Sequence, residues 1–130
     1  MTTRTTLALL LAPALAGCIY VTEGNCDCAP CPPPYATVTV SDAATGGPVA
    51  GATVSGGGAS WLCAPDAGKT LCTPFGPLEG EAPIALAVSA PGYAPAGTAV
   101  MATYPRVARG SCCGGCATYA AEPVALQATK

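Results

Sequence analysis

Histidine is absent from this 130-residue chain, and only 9% of its residues are charged, five Lys or Arg against seven Asp or Glu. The first absence removes imidazole as a general base, which excludes Ser–His and Cys–His nucleophilic pairs. The second leaves no basic face for nucleic acid or for an anionic membrane surface. The carboxylates are isolated in loops and at strand ends apart from Glu79 and Glu81, which fall in a Gly/Pro-rich loop and read as a solvated pair rather than an acid/base dyad. No enzymatic activity, cofactor or nucleic-acid partner is therefore expected. Long helical runs are also missing. Sixteen Gly and fourteen Pro punctuate short apolar stretches, so beyond the N-terminus no long window combines helical periodicity with freedom from breakers. Bulky side chains are few, with one Trp and one Phe. The expectation is one all-β domain with a thin core of Ala and Val.

The alternation that remains is strand-like. In Tyr35 to Ser55, Ala36, Val38 and Val40 fall on one face, with Thr37, Thr39 and Ser41 on the other. Asp42 to Pro48 carries turn chemistry, with Asp and Thr side chains able to bond local backbone and Gly46 and Gly47 free to take positive φ. Ala52 and Val54 continue an inward face on a returning strand, with Gly51 as a bulge or point of close approach. The stretch reads as an opening β-hairpin. Gly56 to Gly58 reads as a flexible connection, and Trp61 to Cys63 starts a third apolar patch containing a core or sheet-edge tryptophan. Thr73 to Pro83 reads as a loop with Phe75 and Leu78 tucked back on the domain. Ile84 to Ser89 alternates as a second clear strand, and Thr98 to Tyr104 and Glu122 to Ala128 as two more. Pro105 to Gly115 reads as irregular, its Arg106 and Arg109 as surface residues.

The N-terminus reads as an address. Arg4 supplies a positive start, Leu7 to Leu15 a short apolar run, and Leu15-Ala16-Gly17-Cys18 follows. The run is too short for a permanent membrane span. The four residues ending at Cys18 resemble the bacterial lipobox. That resemblance implies a signal peptide over residues 1–17, cleavage before Cys18, and a membrane anchor of two or three acyl chains on Cys18, which is effectively permanent. Ile19 rather than aspartate after the cysteine implies the outer membrane. Residues 18–34 then read as a Cys/Pro-rich tether, whose Pro32, Pro33 and Pro34 form a polyproline spacer or lie along the domain surface.

Beyond Cys18 there are eight cysteines: Cys26, Cys28, Cys31, Cys63, Cys72, Cys112, Cys113 and Cys116. An even set in an exported chain reads as a disulfide framework, with 105 possible connectivities. Cys63 and Cys72 flank a segment whose Pro and Gly let it double back, so these two are expected to pair. The other six form two triplets, CDCAPC and CCGGC, one before the first strand and one before the last. Bridges between the triplets would staple the two ends of the domain together. Adjacent Cys112 and Cys113 are expected to take separate partners, because a vicinal bond strains the intervening peptide. The same six thiols, if reduced, could instead hold zinc, copper(I) or an iron–sulfur cluster, although their spacing fits no metal module and export favours bridges. Cys28 and Cys31 also have the CxxC spacing of a redox pair, without a helix N-terminus to lower a thiol pKa.

The alternating first strand, Asp42 with Thr45-Gly46, the run PVAGATV at 48–54 and LAVSAPGY at 86–93 together resemble the carboxypeptidase regulatory-like domain. The likeness covers Tyr35 to about Gln127. It implies a transthyretin-like (prealbumin-like) β-sandwich of about seven strands with Greek-key connections over residues 35–130. The chain departs from the pattern in its Cys63 to Cys72 segment, which replaces an Asp/Gly-rich run, and in the added CCGGC cluster. The resemblance implies no peptidase chemistry, which belongs to a separate zinc domain with His and Glu ligands. Two functions are consistent with these features. One is a lipid-anchored envelope protein acting as a structural, adhesion or binding module, with a protein or glycan as partner. The other is an exported metal binder.

Overall fold

The computed structural model describes residues 28–107 and 113–129. The described residues form eight strands: β1 (Val38–Asp42), β2 (Thr53–Gly56), β3 (Trp61–Asp66), β4 (Lys69–Pro74), β5 (Ile84–Ser89), β6 (Ala96–Thr103), β7 (Thr118–Ala121) and β8 (Val124–Leu126). They build two four-stranded sheets, in the orders β3-β4-β1-β8 and β2-β5-β6-β7. The fold is an all-β, disulfide-containing sandwich. All neighbours are antiparallel except β1 and β8, which run parallel with Val40 opposite Val124.

Period-two alternation places the core. Ala36, Val38 and Val40 from one sheet meet Val54, Ile84, Leu86, Val88 and Val100 from the other, and Leu126 closes the edge. Val38, Val40, Val88, Val100, Cys72 and Leu126 are fully enclosed. No buried side-chain nitrogen or oxygen among the described residues lacks a hydrogen-bond partner.

The expected opening hairpin does not form. β1 is flanked on both sides, by β4 and β8, so its ladder has no free edge for β2, which pairs with β5 in the opposite sheet. The turn itself is present, with the Asp42 amide donating to the Gly47 carbonyl at 2.9 Å and the Gly46 amide to the Asp42 carbonyl at 2.7 Å. A second turn then carries the chain across. Gly51 has φ +69, and a Cβ there would sit 3.1 Å from Pro91 Cδ, so the close approach read from sequence is real. Between the turns, buried Val49 is clamped by Thr70 of β4, whose Oγ1 accepts from the Val49 amide at 2.9 Å and donates to its carbonyl at 3.0 Å.

Five further features differ from expectation. Gly56, Gly57 and Gly58 all have positive φ but form a packed corner, since Cβ atoms on Gly56 and Gly57 would meet Ala85 O at 2.5 Å and Leu78 Cδ2 at 3.0 Å. Leu78 is buried as expected, whereas Phe75 is 70% exposed. Thr73 and Pro74 belong to β4, and Thr118 to Ala121 forms a strand not anticipated. The strand expected at 98–104 runs from Ala96 to Thr103 and leaves Tyr104 outside.

Strand directions give the sandwich two ends. Taking β1 as rising, β3, β5, β7 and β8 also rise, while β2, β4 and β6 descend. The upper end holds the turns at 43–52, 67–68 and 90–95 and the chain after β8. The lower end holds the chain before β1, the corner at 57–60, the loop at 75–83 and the long connection between β6 and β7.

Candidate functional site

No cavity opens among the described residues, so attention falls on the two ends. At the lower end Cys28 is bonded to Cys113 and Cys31 to Cys116, with Cα separations of 5.6 and 5.3 Å. Both bonds span 85 residues, because the two cysteines on each side step by three positions. They join the chain before β1 to the chain before β7, which is the stapling of the two triplets expected from sequence. Cys18, Cys26 and Cys112 lie outside the described residues.

The bridges draw the proline run onto the sandwich. Pro34 is half-buried, and its carbonyl accepts the Leu78 amide at 2.8 Å. Of the two readings of Pro32 to Pro34, this is the surface-lying one. Across the knot, Pro105 packs against Gly115, one residue from Cys116, which leaves no room for a Cβ on that glycine.

The third bond, Cys63 to Cys72, pairs as expected and has a simple origin. Ala67 and Gly68 take φ +49 and +78, as a two-residue hairpin turn matched to strand twist requires. That turn sets Cys63 directly opposite Cys72, with Cα atoms 4.0 Å apart.

These pairings bear on the thiol chemistry. Cys28 and Cys31 are joined to other cysteines rather than to each other, so the CxxC redox pair is not formed. A bridged sulfur is not the thiolate that a metal or a nucleophilic reaction needs. Among the described residues no three His, Cys, Asp or Glu side chains gather around a point that could hold a metal ion. Glu79, Glu81 and Arg106 are exposed on the lower-end loops, and Arg109 lies outside the described residues.

The upper end is closed by hydrogen bonds. Asp42 Oδ1 accepts the amides of Ala44 at 2.8 Å and Thr45 at 3.1 Å, while Oδ2 accepts the Tyr93 hydroxyl at 2.6 Å. The Tyr93 bond, helped by the two amides, holds the Asp42 carboxyl below its ordinary 3.8. The same bond raises the Tyr93 phenol above 10.0, because ionisation would destroy the donor. Tyr93 also bridges Ala128, and Ala94 N and Thr129 N donate to Gln127 O and Gly92 O at 2.8 and 2.9 Å. In the sequence Asp42 is marked as a turn former, and Tyr93 directly follows Ala90-Pro91-Gly92. Their union across 51 residues was visible only as a Tyr that follows a Pro-Gly turn and has a polar tip to satisfy.

On the sheet containing β5, the outward residues are Ala85, Ala87, Gly97 and Ala99 at its centre, with Thr53 and Ser89 hydroxyls 2.9 Å apart at one corner. This face carries no charged side chain on any strand. The chain matches no protein-family model, no curated protein sequence and no solved structure.

Proposed function

We propose that this is a non-catalytic, lipid-anchored protein of the bacterial envelope whose stapled sandwich serves as a structural, adhesion or binding module. The observation that carries the reading is the pairwise cross-linking of the chain before β1 to the chain before β7 through Cys28–Cys113 and Cys31–Cys116. Such bonds persist in oxidising compartments outside the cytoplasm. The lipobox-like Leu15-Ala16-Gly17-Cys18 adds the anchor, and Ile19 favours the outer membrane. A transthyretin-like, Greek-key arrangement of the carboxypeptidase regulatory-like kind is supported by the PVAGATV and SAPGY segments and by the repeated crossing of the chain between sheets. With bridged sulfurs, no imidazole and no cavity among the described residues, the surface acts by contact, with a protein or glycan as partner.

Intact-mass spectrometry of protein extracted from membranes tests the whole proposal. The expected species begins at Cys18, carries two or three acyl chains and has its other eight cysteines oxidised. An unprocessed, unacylated, reduced chain in the soluble fraction overturns it. Thiol titration under denaturing conditions with a metal assay addresses the alternative: stoichiometric metal with free thiols would favour an exported metal binder.

A further inference from the structure

We infer that the lower end of the sandwich is a membrane-contacting surface, which seats the domain end-on against zwitterionic lipid at the point where its tether enters. The inference rests on the anchoring role proposed for Cys18. Six large apolar side chains among the described residues are exposed: Tyr35, Leu62, Phe75, Met101, Tyr104 and Val107. All six fall at or next to the lower end. Tyr35 precedes β1, Leu62 is the second residue of β3, Phe75 follows β4, Met101 lies two residues before the end of β6, and Tyr104 and Val107 follow it. Tyr104 is 75% exposed and Phe75 70%, on different loops of the same end. The upper end shows nothing comparable, and its one large aromatic, Tyr93, turns its hydroxyl to Asp42.

Leu62 and Met101 stand on the outer faces of opposite sheets, whereas Tyr35, Phe75, Tyr104 and Val107 lie on the segments that form the end itself, a grouping that marks an interaction surface rather than ordinary scatter. What covers them follows from where the chain outside the described residues begins. Cys28 and Cys31 are fixed by their bridges to Cys113 and Cys116, and Gly115 lies against Pro105, next to Tyr104. The tether therefore leaves the domain beside the exposed apolar loop. Ten residues separate Cys18 from Cys28, which fully extended reach at most about 36 Å. The opposite end lies a further eight-residue strand away, roughly 26 Å, so the lower end is the one the anchor holds near lipid. Tyr is suited to that depth, with an apolar ring and a polar tip. Glu79, Glu81 and Arg106 at this end give no cationic excess, so the matching surface is zwitterionic rather than anionic.

The test uses the full, lipidated chain in phosphatidylcholine vesicles containing lipids brominated near the headgroup, which quench indole fluorescence on contact. In a Trp61→Phe background, single indoles are placed by Phe75→Trp or Tyr104→Trp at the lower end and by Ala44→Trp at the exposed upper turn. Disulfide content by mass and far-ultraviolet circular dichroism check folding, and two independent lower-end variants guard against the loss of one. The expected result is that both lower-end indoles lose most of their emission to brominated lipid while the indole at position 44 keeps it. Protein that floats with the vesicles but shows equal emission at both ends overturns the inference and leaves the anchor intact. A blue-shifted but unquenched lower-end indole reports a protein neighbour, such as a second copy, and overturns it too. Protein that fails to float and lacks acyl mass overturns the anchor and this inference together.

Discussion

The two ends of this sandwich solve the same problem with different chemistry. At the upper end the connections are short, and backbone and side-chain hydrogen bonds suffice: Asp42 gathers the amides of Ala44 and Thr45 and the Tyr93 hydroxyl, and the final residues pair with Gly92 and Ala94. At the lower end the chain before β1 and the long segment between β6 and β7 pack few large side chains and leave Tyr104, Pro105, Arg106 and Val107 exposed. Ordering each such residue costs about 1–2 kcal/mol of backbone entropy with little burial to offset it. Covalent bonds do there what packing cannot. The two long-range cross-links are thus placed where the sequence is poor in apolar contacts, and hydrogen bonds where turns already limit the chain.

The sharpest way to break this contrast is to remove the staples. A variant with Cys28, Cys31, Cys113 and Cys116 replaced by Ser, and Cys26 and Cys112 as well so that no thiol of either triplet can re-close the loop, frees a closure of 85 residues. In the chain-entropy account that closure is worth about 4.5 kcal/mol and the second bridge about 2.5 kcal/mol more, so the variant loses about 7 kcal/mol, a large part of an ordinary domain's 5–15 kcal/mol. Replacing only Cys31 and Cys116 opens a loop that Cys28–Cys113 already closes to within three residues on each side, so the loss falls to about 2.5 kcal/mol. Urea unfolding of the two variants should show this non-additivity. A loss in the larger variant only twice that in the smaller would mean that the two bridges act independently. Within the upright hairpin, removing Cys63–Cys72 as a pair of Ala substitutions opens a nine-residue separation, at about 2.6 kcal/mol before any cavity left by the buried Cys72 is counted.

Much of this architecture was legible in the sequence, for reasons that also explain what was not. Ile84 to Ser89 could be read residue by residue because its inward positions are Ile, Leu and Val, and alternation reports a buried face directly. β4 alternates just as regularly, but its inward positions are Thr70, Cys72 and Pro74, which no hydrophobicity pattern marks as core. β7 is only Thr118 to Ala121, too short for a period to declare itself. The hairpin expected at 35–55 failed differently. Alternation correctly put Ala36, Val38, Val40, Ala52 and Val54 inside, yet it assigns a face and never a neighbour, and inward faces of opposite sheets look alike. The cysteine spacing located both the Cys63–Cys72 pair and the stapling of the triplets, since covalent geometry restricts partners more tightly than packing does.

Two substitutions at the upper end sharpen the other half of the contrast. Thr70→Val keeps the shape of a buried side chain but strands both the amide and the carbonyl of Val49, and should cost about 1–3 kcal/mol in urea unfolding. A neutral result would mean that the loop at 43–52 is held by packing alone. Ala67→Asn acts in the opposite direction. Ala67 sits at φ +49, a left-handed conformation that penalises a Cβ but that Asn tolerates, so the substitution should stabilise by up to about 1 kcal/mol. The melting temperature should rise, and a fall would show that the turn derives nothing from relieving that conformation.

The smallest expected effect is the most diagnostic of hydrogen bonding at the upper end, because it is read as a pH dependence. Asp42 is held below 3.8 chiefly by the Tyr93 hydroxyl, so its contribution is present above that value and disappears as pH falls through the lower, folded-state pKa. Tyr93 is raised above 10.0 by the same bond, so its contribution is present below that value and disappears as pH rises through the folded-state pKa. The bond therefore works in a window from about pH 4 to pH 10. Tyr93→Phe removes the alkaline limb and weakens the acidic one, where the Ala44 and Thr45 amides still hold the carboxylate. Urea midpoints of the two proteins, taken from pH 2 to pH 11, should differ most inside the window and converge at both extremes. A difference that stays constant with pH would assign the role of Tyr93 to the packing of its ring against the core, and the upper end would then be closed by contact rather than by a charged acceptor.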